Sequence, residues 1–149
     1  MMPVVDFATP EDLTAMADLL YELFTLESDF VPERDRQLRG LQLILDTPAL
    51  GRLFVLRIDG KVAGMANALI TVSTAQGAPV LLLEDVIVSR AYRGSGHGRR
   101  LVEHVCDWAR SQGMVRVTLL ADGGNAAALD FYRALGFDAS AMVVRRKAL

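Results

Sequence analysis

Three places in this chain carry residue types and spacings that could do chemistry. The first is Arg93-Gly94-Ser95-Gly96-His97-Gly98, set between the most apolar run of the chain, Val80 to Val88, and a helical pattern from Arg99 to Arg110. Glycines at alternate positions leave backbone N–H groups with no side chain in front of them. The N-terminus of the following helix adds unpaired N–H groups and a partial positive charge. A strand, a turn of this kind and a helix suit a phosphate or pyrophosphate; a tight turn with no ligand is the competing interpretation of the same glycines. Walker A chemistry is excluded, because Gly98 is followed by Arg99 and Arg100 where Lys-Ser/Thr is needed. A dinucleotide fingerprint is excluded too, because Arg99 stands where its last glycine belongs.

The second place is Leu83-Glu84-Asp85-Val86. A carboxylate in an apolar strand is disfavoured in its charged form, which makes it a better proton acceptor near neutrality. Alternation along a strand sends Glu84 and Asp85 to opposite faces, so they are not expected to act as a pair. The third place is the helical stretch from Asn125 through Phe131 and Tyr132 to Gly136 and Phe137, where Asn125 can cap its helix.

The elements that must position these residues follow from the pattern. Val4 to Phe7 is a short strand. Thr9-Pro10-Glu11-Asp12 starts a helix whose apolar positions are Leu13, Met16, Ala17, Leu20, Leu23 and Phe24. Leu38, Leu41, Ile44 and Leu45 mark a second helix. Gly51 to Ile58, an Asp59-Gly60 type I′ turn, and Lys61 to Val72 form a hairpin. After the glycine turn, Leu101, Val102, Val105, Cys106 and Ala109 line one helical face, ended by Gly113. Val115 to Leu120 and the tail Ala141 to Arg146 are the last expected strands. The order β-α-α-β-β-β-α-β-α-β is an α/β mixed sheet with helices on both faces.

Composition narrows the function. The 149 residues are 52% hydrophobic, which is enough for a single packed domain over 1–149. A net charge of −2 gives no general pull toward nucleic acid or anionic membrane. A single cysteine, Cys106, allows no internal disulfide and is too few for a thiolate zinc site, so no metal is expected. With no signal peptide and no membrane-length apolar run, the expectation is a soluble, cytoplasmic protein with neither membrane nor nucleic-acid partners.

The element order and two motifs resemble the GNAT superfamily of N-acetyltransferases along essentially the whole chain. One motif is the Arg/Gln-x-x-Gly-x-Gly/Ala loop, present as Arg93, Gly96 and Gly98. The other is the Asn-to-Tyr helix followed by Gly-Phe, present as Asn125, Tyr132, Gly136 and Phe137. The resemblance implies a mixed sheet of about six to seven strands flanked by about four helices. It implies acetyl-CoA as acetyl donor, held by Arg93, Gly94, Ser95, Gly96, His97, Gly98 and Arg99 around the pyrophosphate. Val86, Ile87 and Val88 would pair with the pantetheine arm as an added strand would, and Asn125 would contact the same arm.

Leu-Glu-Asp before the strand end is similar to the small-amine and diamine acetyltransferases, which implies Glu84 as a water-assisted general base and a structural role for Asp85. The Phe131-Tyr132 pair implies Tyr132 as general acid to the departing thiolate. A phenol near pKa 10 can supply a proton to a thiolate whose conjugate acid lies at about 8.5. His97 is expected to be exposed. The acceptor implied is a small amine or polyamine, for which the acids Glu27, Asp29, Glu33 and Asp35 are suited, though Arg34, Arg36 and Arg39 interrupt them. An amino sugar, a peptide N-terminus, a protein lysine, and acyl-CoA binding without turnover stay open. So does a homodimer, since dimers are common in the superfamily.

Overall fold

The computed structural model describes residues 2–26 and 32–149. Its strands are β1 (Val4–Phe7), β2 (Gly51–Ile58), β3 (Lys61–Ser73), β4 (Ala78–Val88) and β5 (Val117–Leu119), and its helices are α1 (Leu13–Leu26), α2 (Arg34–Asp46), α3 (His97–Ser111) and α4 (Ala126–Ala134). They form one sheet in the order β1-β2-β3-β4-β5. Neighbours are antiparallel except β4 and β5, which are parallel.

Local chemistry explains the main elements. Asp59 and Gly60 both have positive φ, as a type I′ turn requires, so β2 returns directly as β3. A short 3-10 turn, Pro10–Asp12, precedes α1, and Asp12 Oδ2 accepts from the Thr9 amide at 2.8 Å. The same carboxylate receives both ends of the Arg57 guanidinium at 2.7 and 2.8 Å, tying the start of α1 to β2. The Arg57 hydrogen bonds lower the Asp12 pKa, and the Thr9 amide and hydroxyl act in the same direction. Gly113 ends α3 with φ +79, and Met114 N–H reaches back to the Ala109 carbonyl at 3.0 Å.

The sheet has a core on each face. Phe54, Leu56, Ala66, Ala68, Leu81 and Leu83 pack with Leu101, Val102 and Val105 of α3. Leu53, Val55, Met65 and Ile87 pack with Met16 and Leu20 of α1 and Leu41 of α2. Burial of Cys106 raises its thiol pKa, in keeping with a core position.

Three expectations change. Among the described residues the sheet has five strands, because the tail from 138 to 149 is exposed and has no strand structure. Met142 and Val143 are apolar but unburied, and a strand needs a partner ladder that local propensity cannot supply. The fifth strand shrinks to Val117–Leu119, the three residues that pair with Leu81–Leu83. Strict alternation fails in β4, where the β3 register slips between Met65 and Asn67. Leu81 and Leu83 face α3 before the slip, and Val86 and Val88 pack on that side after it. Ala66 therefore stands opposite both Asp85 and Val86, a β-bulge, and Asp85 occupies it with φ +55.

Candidate active site

The site is assembled where β4 leaves β5. The β4–β5 ladder stops at Leu83 and Leu119 among the described residues, so Glu84 to Val88 run on without a β5 partner. The strand then enters the glycine turn and the start of α3. Gly94 and Gly96 have φ +83 and +79, a region that favours glycine. Gly96 is the N-cap of α3, and no side chain caps that end, so the first-turn amides of His97, Gly98 and Arg99 face outward. A cavity of about 370 Å³ opens there, between the turn and the Phe131, Ala134 and Leu135 side of α4.

Gly98 has a second reason to lack a side chain: a Cβ there would stand 3.3 Å from Phe131 Cζ. The glycine thus lets α4 close against α3. Arg93 reaches away from the turn. Its Nη2 donates to Glu22 of α1 at 2.7 Å, and its Nε donates to the Val88 carbonyl at 2.8 Å. Arg93 therefore ties together the strand end, the turn and α1. Glu22 also accepts from the Arg90 amide at 3.3 Å. Nothing in the sequence singles out Glu22, which looks like any acid on the outer face of a helix.

His97 is the first residue of α3 and is half-buried, which corrects the expected exposure. Its Nδ1 is enclosed and has no hydrogen-bond partner. The preceding turn folds the first helical residue inward, which its glycine neighbours do not reveal. Ser95 is exposed at the crest of the turn, and Arg99 lines the cavity while pairing with Glu103 at 2.7 Å.

The acids of β4 are placed differently from what alternation implied. Glu84, half-buried, stands in register with Asn67 of β3, on the face toward α1 and α2. The bulge brings Asp85 to that face as well: Asn67 Nδ2 donates to Asp85 Oδ2 at 2.6 Å. Glu84 and Asp85 thus share one face, which alternation had excluded. Asn67 is 3% exposed and its Oδ1 is enclosed without a partner, an arrangement that costs about 1–3 kcal/mol. A lone amide inside the apolar run Ala63 to Val72 was the available signal for it.

Asn125 caps α4, its Oδ1 accepting from the Ala128 amide at 3.0 Å. Tyr132 is half-buried between Phe131 and Phe137, with ring centroids at 5.1 and 5.8 Å, at the edge of the core beneath α3. Phe131, next to it, faces the cavity. Of the acids expected near the acceptor, Glu27 and Asp29 lie outside the described residues, and Glu33 pairs with Arg36 at 2.6 Å. Among the described residues, no group of three metal-binding side chains converges, and no helix is long and apolar enough to cross a membrane.

This geometry has known counterparts. The profile of the acetyltransferase (GNAT) family matches residues 13–137. An aminoglycoside N(6′)-acetyltransferase type 1 of Stenotrophomonas maltophilia is 30% identical over 146 residues, covering 95% of this chain and 90% of that protein. A glucosamine 6-phosphate N-acetyltransferase of Trypanosoma brucei brucei is 35% identical over 89 residues, covering 59% of this chain and 58% of that protein. The chain spans about half the length of several curated relatives it matches. A possible acetyltransferase from Clostridium difficile 630 superposes with a TM-score of 0.88 over 100% of this chain and 99% of its own, at 18% identity, a likeness of fold. With a profile match that takes in both the glycine turn and the Asn125-to-Phe137 helix, the chain belongs to the GNAT family of acetyltransferases.

Proposed function

We propose that this protein transfers an acetyl group from acetyl-CoA to a primary amine by direct attack. The observation that carries this is the continuous path from the part of β4 that has no β5 partner into the uncapped N-terminus of α3. A strand without its neighbour offers N–H and C=O groups to an extended amide-bearing chain. The amides at the start of α3 offer donors and partial positive charge to a diphosphate. Acetyl-CoA has both parts, joined in that order, and the cavity beside the turn gives it room. Val86, Ile87 and Val88 would align the pantetheine arm, and Gly94 to Arg99 would hold the pyrophosphate. Asn125, the N-cap of α4, would contact the same arm.

In the transfer, the amine nitrogen bonds to the thioester carbonyl carbon and the carbon–sulfur bond breaks. The ammonium must first lose a proton, which Glu84 receives through water. The sulfur leaves as a thiolate, the Tyr132 hydroxyl supplies its proton, and the second proton released by the attacking nitrogen passes through solvent to restore the phenol. Small amines and polyamines are the acceptors proposed, and amino sugars and aminoglycosides, for which two relatives are named, are tried beside them. Release of CoA thiol in the presence of polyamines, arylalkylamines, amino sugars, aminoglycosides and peptides tests the proposal. At least one amine class should raise release well above the hydrolytic background; failure of every class would remove the transfer reaction.

A further inference from the structure

We propose that the tail of one copy of this chain adds as a strand to the outer edge of β5 in a second copy, the two copies exchanging tails about a two-fold axis. The proposal concerns assembly and stands apart from the transfer reaction.

Two segments of the chain lack the partner that their chemistry asks for. One is the outer edge of β5. The Arg116 carbonyl accepts from the Leu81 amide on the β4 side at 2.9 Å, so alternation turns the N–H and C=O groups of Val117 and Leu119 outward. Among the described residues no strand meets them there. An edge meant to stay open is blunted by charge or proline. At the opposite edge β1 carries Asp6, which pairs with Arg57, whereas Val117-Thr118-Leu119 has neither charge nor proline. The core opens on the same side. Leu81 and Leu83 of β4 are each 1% exposed, but Val117 and Leu119, one strand further out, are only half-buried against that core. Tyr132, Leu135 and Phe137 are half-buried against it too.

The other segment is the tail. The chain turns at Gly136 with φ +93, packs Phe137 on Tyr132, and then leaves the core. Met142, Val143 and Val144 have strand character, yet they are 86, 69 and 47% exposed. An apolar run left in water by a chain with two packed cores marks a surface that another molecule covers. Residues 141–146 match residues 115–120 in length, and each segment needs the ladder that the other can give. The chain's own β5 does not receive the tail, which runs exposed and without strand structure. A second copy offers the same edge. A two-fold arrangement then uses both tails and both edges at once and leaves neither to recruit a third copy. The β4–β5 ladder stops at Leu119, where β4 runs on toward the glycine turn, so the exchanged strand also supports one wall of the candidate active site.

Light scattering after size exclusion tests this on three proteins: the parent, a chain ending at Ser140, and a chain carrying Val143→Pro and Val144→Pro together. Neighbouring strand residues face opposite edges, so the two prolines remove a ladder donor in either register. Both positions are exposed, so the change spares the packed domain. The parent should run as a dimer, and both variants as monomers with parental helix content by circular dichroism. In a separate protein Val143 is replaced by benzoylphenylalanine. Light should then join position 143 of one copy to residues 115–120 of the other, as a covalent dimer identified by peptide mass. A monomeric parent overturns the proposal. So does a dimer that survives both variants, or a cross-link that stays within one chain or falls away from β5.

Discussion

Glu22 and Arg93 are joined across 71 positions of sequence by an ion pair of 2.7 Å, and through it α1 is fastened to the glycine turn. Arg93 uses a second nitrogen to hold the Val88 carbonyl, so one guanidinium sets the strand end and the turn against the helix. Both side chains are partly exposed, which limits the pair to about 0.2–1 kcal/mol. Glu22→Ala is expected to weaken acetyl-CoA binding about two- to fivefold by loosening the turn. Calorimetric titration checks this, with a fall in melting temperature of no more than a few degrees.

The turn itself separates into two glycines with different duties. A Cβ on Gly96 would meet nothing within 4 Å, whereas one on Gly98 would press on Phe131. Gly96→Ala therefore intrudes only where a pyrophosphate would lie, at a backbone cost of about 1–2 kcal/mol for its positive φ. It should reduce acetyl-CoA affinity more than tenfold while the protein stays folded. Thermal shift with acetyl-CoA reads this directly, and an undiminished shift would take the turn out of the site. Gly98→Ala disturbs α4 packing as well and cannot give so clean a result.

Much of this framework is legible in the residues. The β2–β3 hairpin follows from two apolar runs around Asp59-Gly60, and the start of α3 follows from its glycines. The bulge at Asp85 does not, because Val80 to Val88 is apolar on both faces and conceals a change of parity. Assigning Glu84 and Asp85 to opposite faces was the consequence. The ties from Arg93 to Glu22 and from Asn67 to Asp85 join distant segments, and no local pattern encodes such pairings. The tail fails for a related reason: Met142-Val143-Val144 has strand character, but a strand exists only where another strand accepts its hydrogen bonds.

Acid should expose the Asp12–Arg57 pair. Asp12 has a lowered pKa in the folded protein, chiefly through the Arg57 hydrogen bonds, against about 3.9 when unfolded. Between those values the unfolded chain binds the extra proton. The stabilisation is therefore complete above the unfolded value and is lost as pH falls through the folded one. Asp12→Asn should cost about 1–3 kcal/mol at neutral pH, because the half-buried Arg57 loses its bidentate partner and, among the described residues, keeps only Asp6, at 3.5 Å. It should also flatten the fall in melting temperature as pH drops below about 4. A variant with the parental acid limb would assign that limb to other carboxylates.

Tyr132 packs between two phenylalanines, so a ring-preserving change separates packing from proton supply. Tyr132→Phe keeps the aromatic contacts and should lower kcat about ten- to a thousandfold, the usual range for a general acid. Its melting temperature and acetyl-CoA binding should match the parent. Full activity would assign the residue to the core alone.

Amine-dependent release of CoA thiol across pH, with Glu84→Gln beside the parent protein, tests direct acetyl transfer most plainly. The parent should release thiol in step with acetylated amine. Glu84→Gln should be depressed most at low pH, where the acceptor carries its proton, and should keep the acetyl-CoA-induced melting shift. Thiol release in the parent that no amine raises above background, or a Glu84→Gln profile that overlays the parent's, would contradict it.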